Sequence, residues 1–216
     1  MTLYNPPIWP PPVEAVRTRL ISNRGLFRSP VTGNTQAWSR PGARWEFDIR
    51  FHVLSDTVAW QWRGFLAQLQ DEGASVRWGP YPQGRPISYS SGTGWGTPLV
   101  NGGSQTGRSL VTDGWTAGAT IKKGDFVSTW CPPGNLMLFQ VTADVTANGS
   151  GQATIAISPP LPSSPDDNQF VFFDGHASDP TLRAACQCIV DPDTPIGWDL
   201  EQYNTRMAFR LIEAWP

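Results

Sequence analysis

The sequence predicts a mainly β protein: a β-sandwich scaffold with one helix, discontinuous in sequence, carrying an inserted small β-barrel-like module. Three observations predict it. Residues 44–51 alternate strictly, with Trp45, Phe47, Ile49 and Phe51 on one side and Arg44, Glu46, Asp48 and Arg50 on the other. That is the pattern of a half-buried antiparallel strand. Residues 206–212 repeat it near the C-terminus, where Met207, Phe209 and Leu211 alternate with Arg206, Ala208 and Arg210. Between these strands the chain changes character, from the Gly-rich run Ser90–Gly103 to the Pro-rich run Ser158–Pro162. The boundaries that follow are an N-terminal arm at 1–12, a scaffold at 13–87 and 177–216, and an inserted β module at 88–176.

Taken in order, residues 1–12 hold five prolines around Trp9, which bars helix and central strand and predicts an extended arm. Trp9 and Ile8 give that arm something to bury against its own fold or a neighbouring subunit; the other reading is an SH3-type ligand. Arg17 to Phe27 reads as strand, and Ser29–Asn34 as a turn. After the strand at 44–51 comes a helix, capped by Ser55 or Asp56 and stopped by Gly73. Its stripe of Val58, Trp62, Phe65, Leu66 and Leu69 packs over its own sheet or docks a partner. In the module, strands are predicted at 109–112, 125–128, 136–142 and 153–157, the last two joined as a hairpin by Asn148–Gly151. Phe170–Phe173 closes the module, and Leu182–Val190 returns the chain to the scaffold.

Composition narrows the function. Charged residues make up 16%, against about 25% in ordinary domains, so less of the surface is built for water and more for copies or partners. A net charge of −2 and a single lysine pair, Lys122-Lys123, argue against an electrostatic nucleic-acid binder. No apolar run approaches the roughly 20 residues of a membrane span. The N-terminus lacks the basic and apolar regions of a signal peptide, so the chain reads as soluble and made in the cytosol.

No catalytic constellation stands out. Only His52 and His176 are available as imidazole bases, and neither has supporting context. Asp166-Asp167 and Asp191 with Asp193 lie in Pro-rich turns, where turn hydrogen bonding explains carboxylates better than acid–base or calcium chemistry. The stretch Gly92–Gly107 matches neither a P-loop nor a dinucleotide fingerprint. Cys186 and Cys188 share one strand face and read as half a metal or redox site, or as two buried apolar residues in a reducing compartment. With Cys131 as the third cysteine and no second pair, the plainer reading is preferred. No catalytic residue, cofactor or metal is therefore assigned. Of the eleven tryptophans, Trp38, Trp45 and Trp62 are placed in the scaffold core. Trp95, Trp115 and Trp130 either fill the module or stand exposed as a peripheral binding surface for sugars or a partner.

Four stretches carry a family resemblance. They are Phe27–Gly33 with Arg40–Trp45; Phe65–Leu69 at the helix end; Gly96–Gly102 through Gln105–Gly107 and Gly114-Trp115; and Lys123–Val127 followed by Phe139–Asp144, Gly151–Thr154 and Pro159–Leu161. In this order the chain resembles the distal tail proteins of siphophages and gene transfer agents. Trp130–Gly134 departs from the family pattern. The resemblance implies a structural, non-enzymatic subunit of the virion. It implies a ring, six-fold in the family, that joins the tail tube to the hub, baseplate or tail tip and passes DNA through its lumen without specific binding. Trp9, Arg44, Glu46, Asp48, Arg50, Arg206 and Arg210 are the candidate subunit interface, and the lumen is expected to lack a basic patch. The alternative is a carbohydrate-binding module of a tail tip or cell surface, served by Trp95, Trp115 and Trp130.

Overall fold

The computed structural model describes residues 2–8, 10–39, 42–80, 95–173, 183–194, 196–201 and 204–214. The chain enters through β1 (Leu3–Tyr4), β2 (Val13–Ile21), β3 (Arg24–Arg28), β4 (Thr35–Ser39) and β5 (Arg44–Phe51), followed by α1 (Asp56–Asp71) and β6 (Ser75–Trp78). The inserted module contributes β7 (Gly96–Val100), β8 (Gly107–Trp115), β9 (Thr120–Ile121), β10 (Phe126–Cys131), β11 (Asn135–Val141), β12 (Val145–Thr146), β13 (Ala153–Leu161) and β14 (Val171–Phe173). The scaffold resumes with β15 (Cys186–Val190), β16 (Gly197–Glu201) and β17 (Asn204–Glu213). The protein is mainly β, with a sandwich scaffold interrupted in sequence by the barrel-like module.

The scaffold sheet runs in the order β1-β6-β15-β17-β5-β2, with β16 on the same flank of β17 as β15. The two strands with the strictest alternation lie side by side, Phe47 opposite Leu211 and Ile49 opposite Phe209. Their apolar sides and the stripe of α1 form one core containing Trp45, Phe47, Phe51, Trp62, Leu66 and Phe209. The helix begins after Ser55, whose carbonyl accepts the Ala59 N–H at 2.9 Å, and ends before Gly73 in the left-handed conformation at φ +57. Trp62 is fully buried and meets Phe51 edge to face at 4.6 Å, while Phe65 is half-buried at the rim. The stripe therefore covers its own sheet.

Two local expectations change. The predicted strand Arg17–Phe27 is two strands, broken at Ser22-Asn23, and β3 pairs only with β4 in a separate two-stranded sheet. Trp38 is on that hairpin, opposite Gly25 and 44% exposed, and not in the scaffold core. A methyl group at position 25 would collide with the Trp38 indole, so the glycine is what lets the ring lie across β3. The N-terminal segment packs on its own fold, one of the readings of the arm: β1 pairs parallel with β6, and the Tyr4 hydroxyl donates to Glu72 at 3.0 Å. Trp9 lies outside the described residues.

The module's six strands run β14-β10-β11-β13-β8-β7. Leu99 bridges to Phe170, and Val100 N–H donates to the Gln169 carbonyl at 2.8 Å, which nearly closes the sheet into a barrel. Asn148 caps the predicted turn, its side-chain oxygen accepting from the Ser150 and Gln152 N–H groups at 2.9 Å each. That turn joins β12 to β13, however, and β11 pairs with β13 only at Gln140–Ser158 and Val141–Ile157. The short β9 and β12 pair with each other off the main sheet.

Candidate functional sites

The site most strongly built by the chain is the junction between scaffold and module. Because β11 leaves β13 after two pairs, its first half has an unpaired edge. Leu138 faces that edge, and scaffold side chains take its backbone groups. The Leu138 N–H donates to Glu213 Oε1 at 2.9 Å, and the Leu138 carbonyl accepts the Trp45 indole N–H at 2.8 Å. Glu213 Oε2 accepts the Trp45 backbone N–H at 3.0 Å. The Leu138 side chain enters the scaffold core, Phe126 meets Trp45 edge to face at 5.5 Å, and Ser128 Oγ accepts the Ala185 N–H at 3.1 Å. Glu213 is wholly buried; loss of water pushes its carboxyl up to about 7, against two backbone N–H bonds that pull it down. The junction is a hydrogen-bonded latch around one carboxyl group. The inserted module is thereby tied into the scaffold core. Sequence reasoning passed over Glu213, yet the alternation of β17 puts it in step with Met207, Phe209 and Leu211, on the apolar side.

Of the predicted interface residues, several are committed internally. Glu46 is buried at 5% exposure and takes Arg19 through two guanidinium nitrogens, with Arg210 at 3.2 Å. Asp48 takes Arg210 at 2.7 Å and Arg19 at 3.5 Å. Arg210 also reaches Asp191 at 3.5 Å, and Asp48 as hydrogen-bond acceptor is the main cause holding its guanidinium charge. Glu46, Asp48 and Arg210 thus form an ion network within one sheet face. Arg44, Arg50 and Arg206 remain exposed on that face.

Of the two readings for the module tryptophans, Trp95 and Trp115 take core filling. Trp95 and Trp115 are buried in the module core at 8% and 4% exposure, 6.3 Å apart and both against Phe173. The Trp115 indole N–H donates to Thr112 Oγ1 at 2.7 Å, so its polar edge is also used. Trp130 is half-buried and its neighbours in the predicted set do not accompany it to the surface. No stacking platform for a sugar is formed by the three. The sulfurs of Cys186 and Cys188 lie 3.3 Å apart in the scaffold core, where desolvation pushes both thiols up. Cys131 is buried in the module core, its thiol pushed up to about 12. Reactive thiols need the opposite environment. Asp191 serves its own turn, accepting from Asp193 N–H and Thr194 Oγ1, whereas Asp167 accepts from Gly102 N–H on a different segment. Among the described residues, no three His, Cys, Asp or Glu side chains converge as a metal site, and no helix is long and apolar enough to cross a membrane.

The hairpin β3–β4 was not singled out by sequence. Leu26, Phe27, Val31 and Trp38 are 71%, 53%, 91% and 44% exposed on it. A two-stranded hairpin alone is marginal in water, and this one belongs to neither main sheet. Scanned against known protein families, the chain matches none, and no curated protein matches it.

Proposed function

We propose that the chain is a structural ring subunit of a phage tail, one that joins the tail tube to the hub, baseplate or tail tip. The observation that carries this reading is the exposed apolar hairpin β3–β4. Leu26, Phe27 and Val31, each more than half exposed, are a docking surface by their physics, each contributing about 1–2 kcal/mol when another surface removes it from water. The hairpin leaves the scaffold beside β2, a nine-residue strand at the end of the sheet order. A long edge strand presents unpaired N–H and C=O groups that recruit a partner. An apolar arm beside an open edge supports a heterologous contact, the arm of one subunit on a different surface of the next, and rotation closes such contacts into a ring. The family resemblance supplies six-fold symmetry, tail tube and hub as neighbours, virion localisation, and a lumen that passes DNA without reading its sequence.

The test is assembly. Native mass spectrometry and electron microscopy of the concentrated protein, or of purified tails, should find a closed ring. The variant Leu26→Asp with Val31→Asp should abolish it while leaving the far-UV circular dichroism unchanged. A tail reconstruction with isolated peripheral copies that do not touch one another refutes the proposal.

A further inference from the structure

Strand alternation collects Arg17 and Arg19 of β2, Arg44, Glu46, Asp48 and Arg50 of β5, and Arg206 and Arg210 of β17 on the sheet face turned away from the core. Asp191 joins them from the end of β15. Arg19 and Arg210 together satisfy Glu46, Asp48 and Asp191. Among the described residues Arg17, Arg44 and Arg50 have no carboxylate partner, and all three are exposed. Arg206 is also exposed, with Asp199 opposite in register.

Arg50 stands between Ala15 and Ala208, its cross-strand partners on the two sides. Their small side chains leave a groove of about 420 Å³, lined by Ala15, Arg17, Asp48, Arg50, Ala208 and Arg210 among others. Asp48 in that lining is already paired with Arg210, which leaves Arg17 and Arg50 as uncompensated charge. Arg17 lies opposite Asp48, two residues from Arg50 on the next strand, a diagonal of about 7–8 Å. In sequence, the stretch between Glu14 and Glu46 carries Arg17, Arg19, Arg24, Arg28, Arg40 and Arg44 and no Asp or Glu. The face thus holds more arginines than carboxylates although the whole chain carries a net charge of −2.

We infer that this groove is a phosphate-oxyanion site whose ligand is the phosphodiester backbone of nucleic acid. The guanidinium fork matches phosphate oxygens in two parallel hydrogen bonds. The free arginines are spread over two strands and exposed, which suits successive phosphates of an extended polyanion better than one small phosphate. Contacts of this kind position without reading bases, so binding is independent of sequence. The inference goes beyond the ring assembly and does not depend on it. Should this face line the ring's lumen, the lumen there has a basic patch.

With two to four phosphates neutralised, affinity should fall with salt at a log–log slope of about −2 to −3.5. Fluorescence anisotropy of the full chain with a labelled 20-base-pair duplex should therefore show binding at 50 mM salt and a loss of roughly 10- to 100-fold by 200 mM. Arg17→Glu with Arg50→Glu should weaken it at least tenfold, and Arg17→Gln with Arg50→Gln by less. The matched reversal Arg108→Glu with Lys123→Glu, on the module, should stay within twofold. Neither Arg17 nor Arg50 holds an ion pair, so thermal melting of the Gln variant should match the wild type, while the reversal, which sets a carboxylate at position 17 opposite Asp48, should melt slightly lower. Absence of duplex binding at 20 mM salt overturns the inference, and so does equal weakening by the module reversal. Competition by polyglutamate as effective as by unlabelled duplex overturns the phosphate chemistry. Displacement by micromolar tripolyphosphate overturns the choice of an extended backbone.

Discussion

Replacing Glu213 with Gln isolates the latch between scaffold and module. The wild-type carboxyl is pushed up to about 7 by burial, from an ordinary value of 4.5 in the unfolded chain. Below about pH 4.5 both states hold the proton and folding pays no penalty. Between 4.5 and 7 the unfolded chain releases the proton while the folded chain keeps it, so stability falls as pH rises. Above about 7 the loss is complete, at about 3 kcal/mol for a gap of this width. Gln cannot ionise, so this pH dependence should vanish from the variant. It has its own cost: one amide oxygen can serve Leu138 N–H or Trp45 N–H, and the amide nitrogen then faces the other donor. That mismatch costs about 1–3 kcal/mol at every pH. The variant should thus be less stable than wild type at pH 4.5 and close to it, or above it, at pH 8. Urea unfolding followed by tryptophan fluorescence at half-unit intervals gives both curves, and their difference cancels the histidines and every other carboxylate. A difference that stays constant within about 0.5 kcal/mol across the range would refute the reasoning, since Glu213 would then ionise without cost.

Three further outcomes follow from the same packing. Trp62→Ala should cost about 3–5 kcal/mol in urea unfolding, because Trp62 is fully buried, and Phe65→Ala about 1–3, because its ring is half-buried; equal small losses would mean an exposed helix face. Deleting residues 88–176 across a short linker should leave a cooperatively unfolding scaffold that is at least about 3 kcal/mol weaker, since Leu138 and Phe126 leave the core. Unchanged stability would remove the latch, and loss of all cooperativity would remove the two-module organisation. Gly25→Ala should displace Trp38 from β3 and impair ring formation with little change in the melting of the scaffold, read by native mass spectrometry and calorimetry.

Much of this protein is readable in its sequence because alternation is a local signal. Trp45, Phe47, Ile49 and Phe51 on one side, and Met207, Phe209 and Leu211 in the last strand, suffice to place two half-buried strands and the side each buries. The helix is equally legible, since its stripe and the Gly73 stop are written within one segment. The same parity puts Glu213 on the apolar side and sorts arginines onto the opposite face. What local signals lack is the neighbour. Whether Arg50 meets a carboxylate or two alanines depends on register with Val13–Ile21 and Asn204–Glu213, and whether Trp95 and Trp115 are exposed depends on barrel closure between Leu99 and Phe170. Glu213 shows the limit most clearly. Its partners are backbone N–H groups of Trp45 and Leu138, 168 and 75 residues away, and any residue at those two positions except proline offers the same donor. Side-chain identity therefore placed the carboxyl inside; only the three-dimensional path of the backbone decided what holds it there.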